Sequence, residues 1–411
     1  MADRERIVRF IREIGEISEP CEGGVQRRSW TPEFRQGMEY AKKAFKEAGL
    51  SVMEDGAGNV YGFIEGAEHP ERFIFSGSHL DTVRCAGAYD GIAGVACALE
   101  AARMIKESGR PMACTFGVVG MAEEEGTTTG HCCLGSGLMT GLVREEDLDV
   151  IHEAEGDRTA RQILADYGAS GELHFLQGKD VRAFLELHGE QGPVLDREGP
   201  GIGVVTAITG QFWYEITVTG ESNHAGTTPM SMRRDAMAAA ARIMVRMDSY
   251  EREHWADDAT FTAGYVAVTP NSANVVPGKV RFTTDIRSVK QEALDDMRGE
   301  LMRALEEERA RGLSVEVKVN AEKPPTPMDA RLRGLIAAAA DRTGNAYREM
   351  HSGAGHDSMV LADCFPTAMI FVPNRDGVSH NPAEYIAPEA LGAGADVLYE
   401  AVRMADDEER K

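Results

Sequence analysis

"GSHLDTVRCAGAYDGIAGV", residues 77–95, sets one His and two Asp residues among glycines inside an otherwise apolar passage. Just before it, Phe73–Phe75 reads as a short buried strand. Just after it, the stretch from Ile92 to Ser108 carries apolar residues at helical spacing and ends before Gly109. Strand, polar turn and helix make the opening of an α/β unit, and such sheets bind ligands at the carboxyl ends of their strands. Outward along the chain the form recurs. "MACTFGVVGMAEEEG" (112–126) is an apolar strand running into three glutamates, and "VRAFLELHGEQGPVL" (181–195) is another that runs into His188. The polarity at 77–95 is at this point either a turn that happens to be polar or a metal site.

The texture changes near residue 209. "QFWYEITVTG" alternates as a half-exposed strand, "RRDAMAAAARIMVRMDSY" is an Ala-rich helix, and "TFTAGYVAVTP" and "GKVRFTTDIRSV" read as two further strands. "QEALDDMRGELMRALEEERAR" is a charged helix and "LSVEVKVN" a last strand. Strand-helix-strand-strand-helix-strand is the ferredoxin-like order. "AEKPPTPMDA" reads as a linker, after which a helix, an apolar strand ("CFPTAMIFVP") and a terminal helix resume the first sheet. The expected division is a catalytic domain in two parts, 1–208 and 325–411, with an inserted domain at 209–324.

At 411 residues the chain is long for a single core, which agrees with two domains. A net charge of −23 excludes a nucleic-acid partner, because a polyanion needs a basic face. It leaves room for a small anionic substrate held by one or two local Arg residues. The N-terminus reads as a charged amphipathic helix without a signal-peptide core, and no apolar run reaches the roughly 20 residues that span a bilayer. Seven Cys residues at irregular spacing suit reduced thiols in a cytoplasm.

Five polar clusters stand out: His79 with Asp81, Asp90, Glu123 to Glu125, His188, and His380. His, Asp and Glu are the nitrogen and oxygen ligands that zinc and similar divalent metals accept. Two adjacent glutamates at a strand end suit one ligand and one general base. Each cluster also has an ordinary reading: a polar turn, a solvated acidic triplet, a loop His beside Asn-Pro. Their common position past strand ends of one sheet is what favours a metal.

The set "GSHLDTV", "GAYDGIAGV", "EEEG", "ELHGEQGPVL", "NHAGTTPM", "DIRS", "SGAGHDSM" and "SHNPAEY" spans nearly the whole chain in order. In this it resembles the dinuclear metallopeptidase and aminoacylase superfamily, within it the branch of N-carbamoyl-L-amino-acid hydrolases, allantoate amidohydrolases and β-ureidopropionases. The resemblance implies a mixed-sheet, zinc-peptidase-like catalytic domain with an inserted lid domain that forms a homodimer through its helix and edge strand. It implies two divalent metals per subunit, zinc, manganese, cobalt or nickel. His79, Asp90 and His188 would hold one, and Asp90, Glu125 and His380 the other, with Asp90 bridging. Asp81 would support His79 and fix its tautomer. Glu124 would be the general base, with Glu123 a bystander, and His224 would donate to the oxyanion. Arg287 and Asn274 would take the carboxylate of a small-molecule substrate, with Gln191 a further contact. The loop of Gly353, Ala354, Gly355 and His356 would approach the substrate by its backbone.

Two departures bear on the substrate. The branch usually continues its glutamate motif with Ser or Thr, Arg and Phe, whereas this chain reads "EEEGTTTGHCC", and Gly189 stands where Ile is common, which predicts extra space near the metals. Three functions remain in play: hydrolysis of a ureido acid, deacylation or dipeptide cleavage by a relative of the same superfamily, and a non-catalytic binding protein. Retention of Glu124 and of every expected metal position counts against the last.

Overall fold

A computed structural model describes residues 1–199, 201–256 and 258–410. The chain forms two compact units, one of Met1–Thr206 with Met328–Lys411 and one of Ala207–Pro327.

Among the described residues, the first unit is organised by a nine-stranded sheet. Its first five strands are β1 (Ser51–Glu54), β2 (Val60–Ile64), β3 (His69–His79), β4 (Cys114–Met121) and β5 (Asp180–Gly189). The order is β1-β2-β4-β3-β5, followed by Thr367–Val372 and Ile202–Ile208. β4, β3, β5 and Thr367–Val372 run parallel, while β1, β2 and Ile202–Ile208 are antiparallel to their neighbours. The parallel centre is buried along its length: every residue of β4 is buried, as a strand covered on both faces requires. Helix Ile92–Glu107, apolar nearly all round, packs on β3, β4 and β5. Two expectations need adjusting. The strand read as Phe73–Phe75 extends over eleven residues, and the segment 321–330 is no free linker, since Thr326 and Pro327 pair with Ile208 and Ala207.

The second unit has an antiparallel sheet in the order Val266–Thr269, Lys279–Ser288, Gly210–Thr219, Ser314–Lys323. Helices Ala236–His254 and Gln291–Ala310 share its core through Ile243, Met247, Leu294 and Leu301 against Tyr214, Ile216 and Phe282. Numbered along the chain, the strands lie 4-1-3-2, the ferredoxin-like arrangement that the element order implied. The stretch read as one strand at 260–270 is two, Ala259–Thr262 and Val266–Thr269, parted at Ala263-Gly264-Tyr265. Glycine at that point weakens a strand and permits the break.

Candidate active site

His79 is the last residue of β3, Glu123–Glu125 follow β4 directly, and His188 is the penultimate residue of β5. Because these strands are parallel neighbours, their carboxyl ends open on the same edge. Asp90 comes from the loop between β3 and its helix, and His380 from the loop after Thr367–Val372, the parallel neighbour of β5. Gly91 lets the Asp90 loop pass over the imidazole. Its φ is +67°, and a Cβ there would lie 2.5 Å from the His79 ring.

The five side chains converge. His188 Nε2 lies 3.1 Å from Asp90 Oδ1, and His380 Nε2 lies 3.1 Å from Asp90 Oδ2 and 3.5 Å from Glu125 Oε1. His79 Nε2 is 4.0 Å from Asp90 Oδ1 and 3.9 Å from Glu124 Oε2. Two sets have all their ligand atoms within 4.8 Å of one another: His79, Asp90 and His188; and Asp90, Glu125 and His380. A third, overlapping set joins His79 to Glu124 and Glu125.

These donors fit a cation. His79 Nδ1 faces the Asp81 carbonyl at 3.0 Å and His188 Nδ1 faces the Gly189 carbonyl at 2.9 Å. A carbonyl only accepts, so each Nδ1 carries a hydrogen and each ring turns its Nε2 toward the carboxylates. Among the described residues, His188 Nε2 and Glu125 Oε1 have no hydrogen-bond partner, although both are buried. Ring nitrogens facing carboxylate oxygens need a positive charge between them. The ionisation states agree. Burial, then the neighbouring Glu125 charge, pushes the Glu124 carboxyl well above its usual range, and burial with Asp90 does the same to Glu125. Burial also resists ionisation of Asp90, but the adjoining His188 and His380 outweigh it and hold that carboxyl well below the carboxylate range. So many acids crowded out of water are stable as anions only beside a cation.

Asp81 meets His79 through its main chain. Its carbonyl, not its carboxylate, fixes the His79 tautomer; the nearer carboxylate oxygen is 3.7 Å from Nδ1. The carboxylate instead accepts the backbone N–H groups of Glu124 and Glu125, each at 3.2 Å. Glu123 is no bystander to the structure. With φ at +56°, its fully buried carboxylate accepts Thr128 N (2.9 Å), Thr129 N (2.6 Å) and Thr129 Oγ1 (2.9 Å). The Thr127–Thr129 run that replaces the usual Arg-Phe is thus tied back to the first glutamate of its own motif. Nor does Gly189 open a void. Buried Ile386 reaches to 3.0 Å from where a Cβ at 189 would sit, so the isoleucine volume is supplied from elsewhere in the chain.

Gln191, expected on the substrate, rests on Asp90: its Nε2 donates to both carboxylate oxygens at 3.2 Å and to Ser379 Oγ at 3.2 Å. Its residue also lines a cavity of about 510 Å³ that includes Pro193, Arg348, His351 and Ala354. Gly355 is exposed beside Ala354, and His356 is buried with its ring 4.6 Å from that of His188.

The remaining candidates belong to the second unit. His224 is exposed on strand Asn223–His224, and its Nδ1 accepts Gly226 N at 3.0 Å and Thr227 N at 3.2 Å. The neutral ring therefore keeps its hydrogen on Nε2, the tautomer an oxyanion donor requires. Asn274 is held beside it, with its carbonyl accepting Ala225 N at 2.9 Å. Arg287, on Lys279–Ser288, is half-buried and meets Asp285 through Nε (3.1 Å) and Nη2 (2.9 Å). The guanidinium thus already faces one carboxylate.

Several residues were not singled out from the sequence. Glu384 accepts the N–H groups of Tyr89 and Asp90 at 3.1 Å each and Ser379 Oγ at 3.1 Å, fixing the Asp90 loop. Asn59 Oδ1 accepts Ala122 N at 2.9 Å just ahead of the glutamates, and Ser29 Oγ accepts Glu123 N at 2.6 Å. Glu384 lies inside "SHNPAEY", which was the only available signal for it.

The pattern described as Peptidase family M20/M25/M40 matches residues 75–404. The chain is similar to the N-carbamoyl-L-amino-acid amidohydrolase of Paenarthrobacter aurescens, 38% identical over 410 residues and covering 98% of both chains. It is also similar to the allantoate amidohydrolase of Escherichia coli, 39% identical over 380 residues with 92% of each chain covered. Among solved structures, an amidase of the hydantoinase/carbamoylase family from Burkholderia multivorans superposes with a TM-score of 0.90 at 35% identity, covering 98% of both chains. Such full-length likeness, in a chain whose strand ends hold candidate ligand sets for the dinuclear site that the family implies, places it: the chain belongs to peptidase family M20/M25/M40, as an amidohydrolase of that family.

Proposed function

We propose that this chain hydrolyses a linear C–N bond of a ureido acid, an N-carbamoyl amino acid, allantoate or a related compound, with two divalent metals. The observation that carries the reading is that Asp90 belongs to both ligand sets, each of its oxygens facing a different histidine at 3.1 Å. A single carboxylate so shared is what a bridged pair of cations requires. His79 and His188 would complete one site, Glu125 and His380 the other. Zinc, manganese, cobalt and nickel all suit such nitrogen and oxygen donors. When bound, such ions supply the Lewis acidity that makes water acidic enough to attack near neutral pH.

The chain's own groups do the rest. Glu124 lies beside His79 and outside both Asp90 sets, so its carboxylate is free to take the proton of the attacking water. A carboxyl whose burial raises its proton affinity holds that proton long enough to give it to the departing nitrogen. His224, with its hydrogen on Nε2, would stabilise the oxyanion, and Arg287 with Asn274 would anchor the substrate carboxylate. Ala354 and Gly355 would meet the substrate by backbone. Gln191, which donates to Asp90 here, would serve either that carboxylate or the substrate. The second unit would act as lid and as the surface of a homodimer, to be checked by light scattering; a clean monomer would remove the dimer from this proposal.

The deciding experiment is a hydrolysis panel with protein stripped by chelator and reloaded with each metal. N-carbamoyl amino acids and allantoate would be turned over, N-acyl amino acids and dipeptides poorly. Preference for the latter two would move the chain to the deacylase or dipeptidase reading. Undiminished turnover by stripped protein would end the metal mechanism.

A further inference from the structure

Arg27 is a fully buried arginine in the first unit, and none of the chemistry above uses it. Its Nε donates to the Leu80 carbonyl at 2.8 Å, and its Nη1 donates to the carbonyls of Ile14 and Ile17 at 2.9 Å each. Among the described residues its Nη2 has no hydrogen-bond partner. Its main chain is latched to the same place, with N donating to Thr82 Oγ1 at 2.9 Å and O accepting Thr82 N at 3.1 Å. Arg27 thus grips Leu80 and Thr82, the two neighbours of Asp81. The packing is made for it, since a Cβ on Gly37 would lie 2.8 Å from Arg27 Cδ.

Taking a guanidinium wholly out of water costs several kcal/mol. Three carbonyls offset part of that. Asp81 in turn fixes the His79 tautomer through its carbonyl and the backbone of Glu124 and Glu125 through its carboxylate. One residue therefore stands behind a candidate ligand of each metal set and behind the general base, and the grip of Arg27 on Leu80 and Thr82 stands behind that residue.

We infer that Arg27 is a positioning residue of the metal centre, acting through Asp81: its hydrogen bonds to Leu80 and Thr82 hold the 80–82 backbone, and with it the carbonyl and carboxylate of Asp81, in register. This rests on the dinuclear reading above. The alternative is a plain structural clip joining the end of helix Arg4–Gly15 to the end of β3.

The test measures metal affinity by competition with a chelator dye, together with the visible spectrum of the cobalt-loaded protein, so that neither readout depends on turnover. Wild type that binds no divalent metal would refute the metal reading itself, whatever Arg27 does. If wild type binds, Arg27→Met is expected to weaken affinity about 10–100-fold, the range for supporting residues of a metal site, and to alter the cobalt bands. Arg27→Lys, which keeps the charge but loses the fork, should recover part of the loss. Asp81→Asn and Arg27→Met should not add when combined, because both act through residue 81. Wild-type affinity and an unchanged cobalt spectrum in folded Arg27→Met would overturn the inference. So would an Arg27→Lys protein no better than Arg27→Met, or full additivity with Asp81→Asn. Should Arg27→Met fail to fold, Arg27→Lys against Asp81→Asn, single and double, carries the same decision.

Discussion

In the first unit His79, Asp90, Glu124 and His188 are at most 8% exposed, and among the described residues the buried atoms His188 Nε2 and Glu125 Oε1 lack hydrogen-bond partners. In the second unit His224 and Asn274 are exposed, and Arg287 already faces Asp285. The contrast separates two kinds of functional residue. A buried donor set that its own protein does not satisfy announces a missing ion, because orphaned polar atoms are costly. Exposed groups with protein partners announce nothing until a substrate competes for them.

The sharpest way to break this comparison is Asp90→Ala. If both ligand sets hang on that carboxylate, both metals are lost together and turnover is abolished; metal content after dialysis checks it. Loss of one metal with the other retained would show that Asp90 is not shared. Next comes the division of labour within the glutamate motif. Glu124→Gln should keep both metals yet cost about 10²–10⁴-fold in turnover, as expected for a lost general base, while Glu125→Gln should weaken metal binding. Reversed phenotypes would mean that the register of the motif has been misread.

For the second unit the expected effect is smaller. Charge-assisted hydrogen bonds contribute about 1.5–3 kcal/mol each, so Arg287→Ala should lower kcat/KM for a carboxylate substrate by more than about tenfold, with Arg287→Lys recovering only part. Comparing the carboxylate with its amide in both proteins checks this. An unchanged preference in Arg287→Ala would remove the arginine from the substrate site. The smallest effect separates structure from chemistry inside the first unit. Glu123→Met removes the acceptor of the Thr128 and Thr129 N–H groups, which should cost about 1–3 kcal/mol of stability. A lowered thermal midpoint with metal content intact is the expected pair of readings.

The legible part of this molecule is the part written locally. An apolar run followed by His79, by the three glutamates or by His188 announces both strand and site, since a strand and its carboxyl end are neighbours in sequence. The 4-1-3-2 sheet followed from element order alone. What stayed hidden is written at long range. Glu384 reaches Asp90 across 294 residues, and Asn59 reaches Ala122 across 63. Neither has a periodicity or a turn signature to betray it. Ile386 filling the space beside Gly189 is hidden for the same reason: a compensating volume can come from anywhere in the chain. That Asp81 meets His79 through its carbonyl, and that Gln191 donates to Asp90, stayed hidden because such contacts are distinct only in space.

The shared aspartate also puts the two ligand sets on different schedules. His79, Asp90 and His188 all precede the inserted unit, so that set is complete in the chain by residue 188. The set of Asp90, Glu125 and His380 waits for the segment that follows it, and Glu384, which holds the Asp90 loop, arrives with His380. Because chains emerge from the ribosome amino end first and domains fold as they appear, the growing polypeptide owns one candidate ligand set long before it owns the second. Assembly of the pair becomes a report that both halves of the interrupted unit have met.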